Sequence, residues 1–286
     1  MNCLFNLDNG HFITGESMLY IVSFFAGVLG TIMGGTQTFV TTGIVGLIIA
    51  FLSFMNIHIP FLNDVINGVL FMPCVIFNGA AIATAYASKK YDIRGVDTNR
   101  SLLFTKDYKV FLMGGLFGLV GYSLFNLFTY LNFNLDIGGL VVFLVGCIGR
   151  ALYGFKWVNN EKIAINSHAL TNMFVFQTIF SVITSLITIL LVDLTGITSI
   201  GFSISAASLI FTFVYPAFPA THHITMVSGY AFAQTHNIMI SVLFGLCAHL
   251  IFTIFGRKCN TPECGSLIDP PALAIFSMSF IIFTFF

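Results

Sequence analysis

The chain predicts an all-α polytopic membrane protein with about ten transmembrane helices, built as two inverted five-helix repeats in which helices 3 and 8 are broken. Three observations predict it. The 286 residues are 57% hydrophobic and only 8% charged, with a mean hydropathy of +0.95, more apolar surface than a soluble domain could keep from water. All eleven basic residues fall in three stretches: Lys89 to Lys109, Arg150 to Lys162, and Arg257 with Lys258. Finally, the chain resembles itself across its two halves.

A transmembrane helix needs about 20 mainly apolar residues. Ten segments meet this, near 18–34, 38–55, 65–88, 110–132, 136–153, 169–192, 196–212, 213–234, 236–256 and 269–286. Neighbouring spans within 18–55 and 196–234 are separated by only a few polar or glycine residues. Lys and Arg in short loops stay on the cytoplasmic side. With ten spans the basic loops follow the third, fifth and ninth crossings and share that side, leaving both termini outside. Merging the seventh and eighth would push Arg257 and Lys258 outward, so the charge rule favours ten. Met1 to Tyr20 has no basic n-region, and Asp8 and Glu16 interrupt it, so no cleavable signal peptide is expected. The location expected is the cytoplasmic (inner) membrane, multi-pass. The chain divides into a first repeat (1–153), a cytoplasmic linker (154–168) and a second repeat (169–286).

The repeat rests on three features in the same order. Residues 116–128 align without gaps to 243–255 with six identities in thirteen. Ala81 to Ala87 precedes the first copy and Ile224 to Ala231 the second. An acidic residue opening a span, Asp136 or Asp269, follows each. Five spans is an odd number, so the second copy must enter the bilayer upside down. Inverted repeats are common in secondary transporters, with substrate near the midplane at the repeat interface.

The third span of each half carries the candidate site. Pro73 precedes Asn78 and Gly79; Pro216 and Pro219 precede Thr221, His222 and His223. Proline removes a backbone donor and clashes with the preceding turn, so each span is expected to break part-way across. The restarting half-helices would present free N–H groups and positive dipole ends to an anion. Counting back from Tyr86 and Tyr230 makes Asn78 and His222 equivalent, and both tyrosines join the candidate substrate-binding set. Two proline kinks that merely pack would explain the same residues.

Every acidic residue falls in a loop or at a helix end, so no carboxylate is expected at the midplane and carboxylate-lined cation sites are disfavoured. Proton coupling would then fall to His222, His223 or His249. His249 matches Tyr122 in the repeat; a packed, hydrogen-bonded residue is its plainer reading, and substrate contact the alternative. Asp136 and Asp269 read as helix N-caps on opposite sides of the membrane, with gating as the alternative. Gly114, Gly115, Gly118 and Gly121 give the fourth span a face for close helix approach.

The stretch Asp269-Pro270-Pro271-Ala272-Leu273-Ala274-Ile275, following Gln234-Thr235-His236-Asn237, resembles the HPP family of integral membrane proteins. The resemblance covers roughly 223–275 and implies a small helical membrane unit, some members being linked to nitrite transport. Asp269 stands where that motif has histidine, and Thr235-His236 replace Pro-Arg, so only Pro270 and Pro271 carry over.

Other chemistry is thin. Cys259 and Cys264 would need two more ligands to hold a metal. Adjacent histidines point to different helix faces, and no HExxH motif accompanies them. No phosphate-binding loop or basic-aromatic patch is present, so neither ATP hydrolysis nor nucleic-acid binding is expected. The function expected is a permease moving a small solute, foremost a small anion, by alternating access. No catalytic residue, metal or cofactor is assigned. The partners are the lipid bilayer and a small-molecule or ion substrate, with homo-oligomerisation left open. A histidine- or metal-dependent intramembrane enzyme and an accessory membrane subunit stand as alternatives.

Overall fold

The computed structural model describes residues 15–159 and 167–286, with the side chains of Glu16 and of residues 167–174 outside the description. Asp8, Glu161, Lys162 and residues 160–166 of the expected linker therefore lie outside it. Among the described residues the fold is all helix: α1 Glu16–Met33, α2 Gly35–Phe54, α3 Pro73–Ala87, α4 Tyr108–Tyr130, α5 Ile137–Tyr153, α6 Ser167–Thr195, α7 Ile200–Ser208, α8 His222–Thr235, α9 Ile238–Cys259 and α10 Pro270–Phe285. A helix of wide, π-type turns, Phe61–Leu70, leads into α3.

Local chemistry sets the boundaries. Gly34, at φ +101°, splits α1 from α2, a conformation that side chains beyond hydrogen resist. Side-chain oxygens cap four helices: Asp107 accepts from the Lys109 N–H, Asp136 from Gly139, Asn237 from Ile240 and Asp269 from Ala272. Pro270 occupies the first position of α10, where its missing N–H is harmless.

Five helical stretches are long and apolar enough to cross a membrane: Gly35–Phe54, Phe61–Ala87, Tyr108–Tyr130, Val175–Thr195 and Ile238–Cys259. Ser17–Met33, Ile137–Tyr153, Ile200–Phe213 and Pro270–Phe285 are apolar but shorter. The eighth expected span needs correction. Residues 214–221 are not helical, and α8 alone is only 14 residues long, because Pro216 and Pro219 deny the preceding turns their donors. Outward-facing Ile44, Ile48, Phe51, Leu116, Leu127, Ile183 and Leu190 are exposed. Such a surface, on helices of this length, is compatible with a multi-pass membrane protein. Exposed Tyr108 and Tyr130 flank α4, about 33 Å apart at 1.5 Å per residue, close to one hydrocarbon thickness.

The described parts of the three basic stretches lie together at one end of the bundle. Lys89 sits 3.6 Å from the Phe155 ring centroid, the Phe155 N–H donates to the Cys264 carbonyl, and the Asn159 N–H donates to the Lys258 carbonyl. Arg150, 2% exposed, clamps this end. Its Nε donates to the Ser266 hydroxyl, and its terminal nitrogens donate to the carbonyls of Lys156, Trp157, Cys259 and Ser266.

Inside, α1, α3 and α4 pack as a trio, as do α6, α8 and α9. Glycines permit the closest approaches. A Cβ on Gly79 would meet the Gly27 backbone at 2.5 Å and the Gly114 carbonyl at 2.8 Å, so α1, α3 and α4 touch backbone to backbone there. Between the trios α2 packs on α7 and α5 on α10. Both pairs are antiparallel: Ala50 clusters with Ile200 while Gly43 meets Ser203 and Ala207, and Gly146 meets Ile268 while the Asp136 N–H donates to the Ser279 hydroxyl.

Candidate functional site

The third span breaks where Pro73 requires it. Phe71 (φ −108°, ψ 19°) and extended Met72 (φ −68°, ψ 124°) leave the helical path, and α3 restarts at Pro73. The backbone of Cys74 lies against Gly121, about 20 Å along α4 from Tyr108, which places the restart deep in the bundle. The chain re-enters helix at His222 after the segment carrying Pro216 and Pro219. No side chain caps α3 or α8. Pro73 has no N–H, and the N–H groups of Val75 and Ile224 donate to the Met72 and Thr221 carbonyls, so the first-turn N–H groups without an acceptor among the described residues are those of Cys74, His222 and His223.

Both restarts open on one cavity of about 250 Å3. Met72, Pro73 and Cys74 line it from α3, His222 and Met226 from α8, Asp136, Gly138 and Gly139 from α5, and Asp269, Pro271 and Ala272 from α10. Four helix N-termini thus meet at one space. Because α5 and α10 are antiparallel, Asp136 and Asp269 approach it from opposite ends. Phe39, Phe125, Val142 and Phe202 complete a mainly apolar wall. A second cavity of about 240 Å3 shares Phe39, His222, Asp269 and Pro271 with the first, and continues to Thr36, Thr98 and Asn99 beside the basic loop. The His222 ring lines both, stacked on Phe39 at 5.1 Å between centroids and edge-on to Phe202 at 6.0 Å.

The polar groups of the main cavity differ in how far they are satisfied. Asp136 accepts from the Gly139 N–H with one oxygen and from the Tyr230 hydroxyl with the other. Asp269 uses one oxygen for the Ala272 N–H, at 3.0 Å, and its other oxygen takes no hydrogen bond from the described residues. His222 is 5% exposed, and neither ring nitrogen has a partner among the described residues. An imidazole stripped of water without compensation is costly, and here it borders empty space.

Several expected site residues stand elsewhere. Asn78 donates back to the Cys74 carbonyl and does not line the cavity. It lies in the second turn of α3, whereas His222 opens α8, so the two are not equivalent. The count from the tyrosines misled because α8 restarts later, relative to Tyr230, than α3 does relative to Tyr86. Gly79 is a packing contact. Tyr86 packs edge-on to Tyr153 near the basic end. The Thr221 hydroxyl donates to Ser205. His223 turns away from the cavity: its Nε2 lies 3.1 Å from His249 Nδ1, and neither residue lines the cavity. Tyr230 reaches the site only through Asp136. Pro73 lines the main cavity and Pro216 the second. Pro219 lies in the segment that breaks the helix and lines neither.

Asp136 and Asp269 stand at helix ends as N-caps, as expected, and both also border the central cavity, which the sequence did not indicate. They cap the two apolar helices of 17 and 16 residues, α5 and α10, that pack on each other. Phe39, Phe202, Cys74, Met72 and Met226 had no signal in the sequence, since an apolar residue on an apolar helix does not reveal which side meets a cavity.

No curated protein and no solved structure matches the chain. A protein family model matches residues 11–178; the stretch resembling the HPP motif, roughly 223–275, lies wholly outside it, as do α8 and α10. The match covers more than half of the 286 residues, from the start of α1 into α6. The chain belongs to DUF7973, a family of unknown function.

Proposed function

We propose that this protein is a membrane permease that moves a small solute, an anion or a solute with an anionic group, by alternating access between two inverted five-helix repeats. The observation that carries the reading is the meeting of two uncapped half-helix N-termini, at Pro73 and His222, on one interior cavity beside an unpartnered imidazole. Bare N–H groups and helix dipoles at depth favour an acceptor-bearing ligand. Inversion is supported by the packing. The α1–α3–α4 trio has its counterpart in α6–α8–α9, and the pairs α2–α7 and α5–α10, which would straddle a two-fold axis in the membrane plane, are antiparallel. The basic loops gathered at one end support a cytoplasmic assignment for that end.

Cys74 offers a direct test, because its residue borders the cavity. In a variant whose other cysteines are serine, a small thiol reagent should reach Cys74 from one side of the membrane, and transported solute should slow the reaction. Proteoliposomes that take up no small solute, with Cys74 reactivity indifferent to solutes, would remove the reading.

A further inference from the structure

The cavity is not purely an anion site, because its unmet hydrogen-bonding capacity has two signs. On one side stand the uncapped starts of α3 and α8 and the unpartnered His222 ring. On the other stands the Asp269 carboxylate with one oxygen unused by the described residues. Asp136 differs, since both of its oxygens are occupied, by the Gly139 N–H and the Tyr230 hydroxyl. A simple anion would satisfy the helix starts but lie near Asp269 with nothing to offer it. A simple cation would satisfy Asp269 and confront two positive dipole ends. Between the polar groups the wall is apolar, with Phe39, Phe125, Phe202, Met226 and Ile275.

We infer that the site binds a small zwitterion of the α-amino-acid class: a carboxylate at the starts of α3 and α8 beside His222, an ammonium at Asp269, and a short apolar side chain against the aromatic wall. This rests on the permease reading and narrows its substrate. The cavity of about 250 Å3 lies below the roughly 300–1,000 Å3 of pockets for drug-sized ligands, which restricts the class to compact molecules. The ammonium supplies the donor that the free Asp269 oxygen lacks, and the carboxylate the acceptor that the Cys74 and His222 N–H groups lack. Each bound group therefore satisfies a group otherwise left unpaired, the arrangement that discriminates most strongly against analogues missing one of the two.

The test uses the full-length protein in lipid nanodiscs and three probes with the same body: L-leucine, its N-acetyl anion and its methyl ester cation, with L-alanine as a smaller zwitterion. At least one zwitterion should bind tenfold or more tighter than either leucine derivative. Asp269→Asn, which keeps an N-cap of similar quality, should reduce that preference over the N-acetyl anion at least tenfold. Asp136→Asn should reduce it less. Equal binding of zwitterion and N-acetyl anion, a preference unmoved by Asp269→Asn, or no binding of any probe would each overturn the inference. Uptake of acetate or nitrite into proteoliposomes alongside any of those results would leave the permease reading standing. Zwitterion binding without uptake of any solute would remove transport while keeping the ligand class.

Discussion

His223 Nε2 lies 3.1 Å from His249 Nδ1, joining the first turn of α8 to the middle of α9 through two buried rings that are stacked at 10° and cover Phe252. One nitrogen of this bond must carry the hydrogen and the other a lone pair. The pair therefore couples the tautomers of the two rings and cannot persist when both are doubly protonated. It also turns His223 away from the cavity, leaving His222, on the next face of the helix, to border it.

His249→Ala should then be a stability variant. It strands His223 Nε2 and opens a void beside Phe252, at a combined cost of roughly 2–4 kcal/mol. A lowered unfolding midpoint in detergent with unchanged solute affinity is the expected outcome. Lost affinity in a protein of parental stability would place His249 in the binding site.

Gly79→Val tests the contact of α1, α3 and α4. The added carbons would meet the Gly27 and Gly114 backbones, which cannot rotate aside as a side chain could. Overpacking of this kind costs about 1–3 kcal/mol or more. Gly138→Ala, whose nearest neighbour is the Asp136 carboxylate at 3.4 Å, should fold normally. Detergent-solubilised yield and midpoint for both variants decide the matter.

Arg150→Lys retains charge but loses the planar fork that reaches four carbonyls and the Ser266 hydroxyl. The expected loss is on the order of 3 kcal/mol, concentrated at the basic end. Cys264, buried beneath this clamp, should become reactive to thiol reagents well before the rest of the protein unfolds.

Asp107 gives a pH dependence with a definite sign. The Lys109 N–H, and then the Lys90 ammonium at 3.1 Å, hold its carboxyl below the ordinary value of 3.8. A depressed value in the folded state means stability that is present above 3.8 and lost as pH falls through the folded value. Asp107→Asn should therefore lower the unfolding midpoint slightly at pH 7, and the gap to the parent should close under more acidic conditions. The pair is exposed, so high salt should shrink the gap too.

The helices were legible because apolar runs, prolines and capping residues are local signals. Asp136 and Asp269 could be read as caps, and Pro73, Pro216 and Pro219 as breaks. Depth was not legible. A carboxylate at a helix end reads as peripheral from sequence, and only the packing of α5 and α10 on each other and on α3 and α8 brings Asp136 and Asp269 to the cavity. The sequence likewise could not choose between His222 and His223, because helical spacing separates their faces without saying which face meets the cavity. Phe39 escaped notice for the same reason.

Phe39 bears on the last prediction. Its ring stacks on His222, and these two side chains, with Asp269 and Pro271, are common to the central cavity and the one leading to the basic end. A flat ring on a flat ring is a barrier that can slide without leaving polar groups stranded, because Phe39 has none to lose. In the proposed cycle the stack must part for solute to pass and close behind it. Phe39→Ala removes the larger half of the barrier and joins the two cavities, so passive leak of solute should rise while the driven, accumulating component falls. Phe39→Leu, which restores much of the bulk without the ring, should lie between. Equal leak in parent and Phe39→Ala proteoliposomes, at matched protein content, would mean that the barrier lies elsewhere.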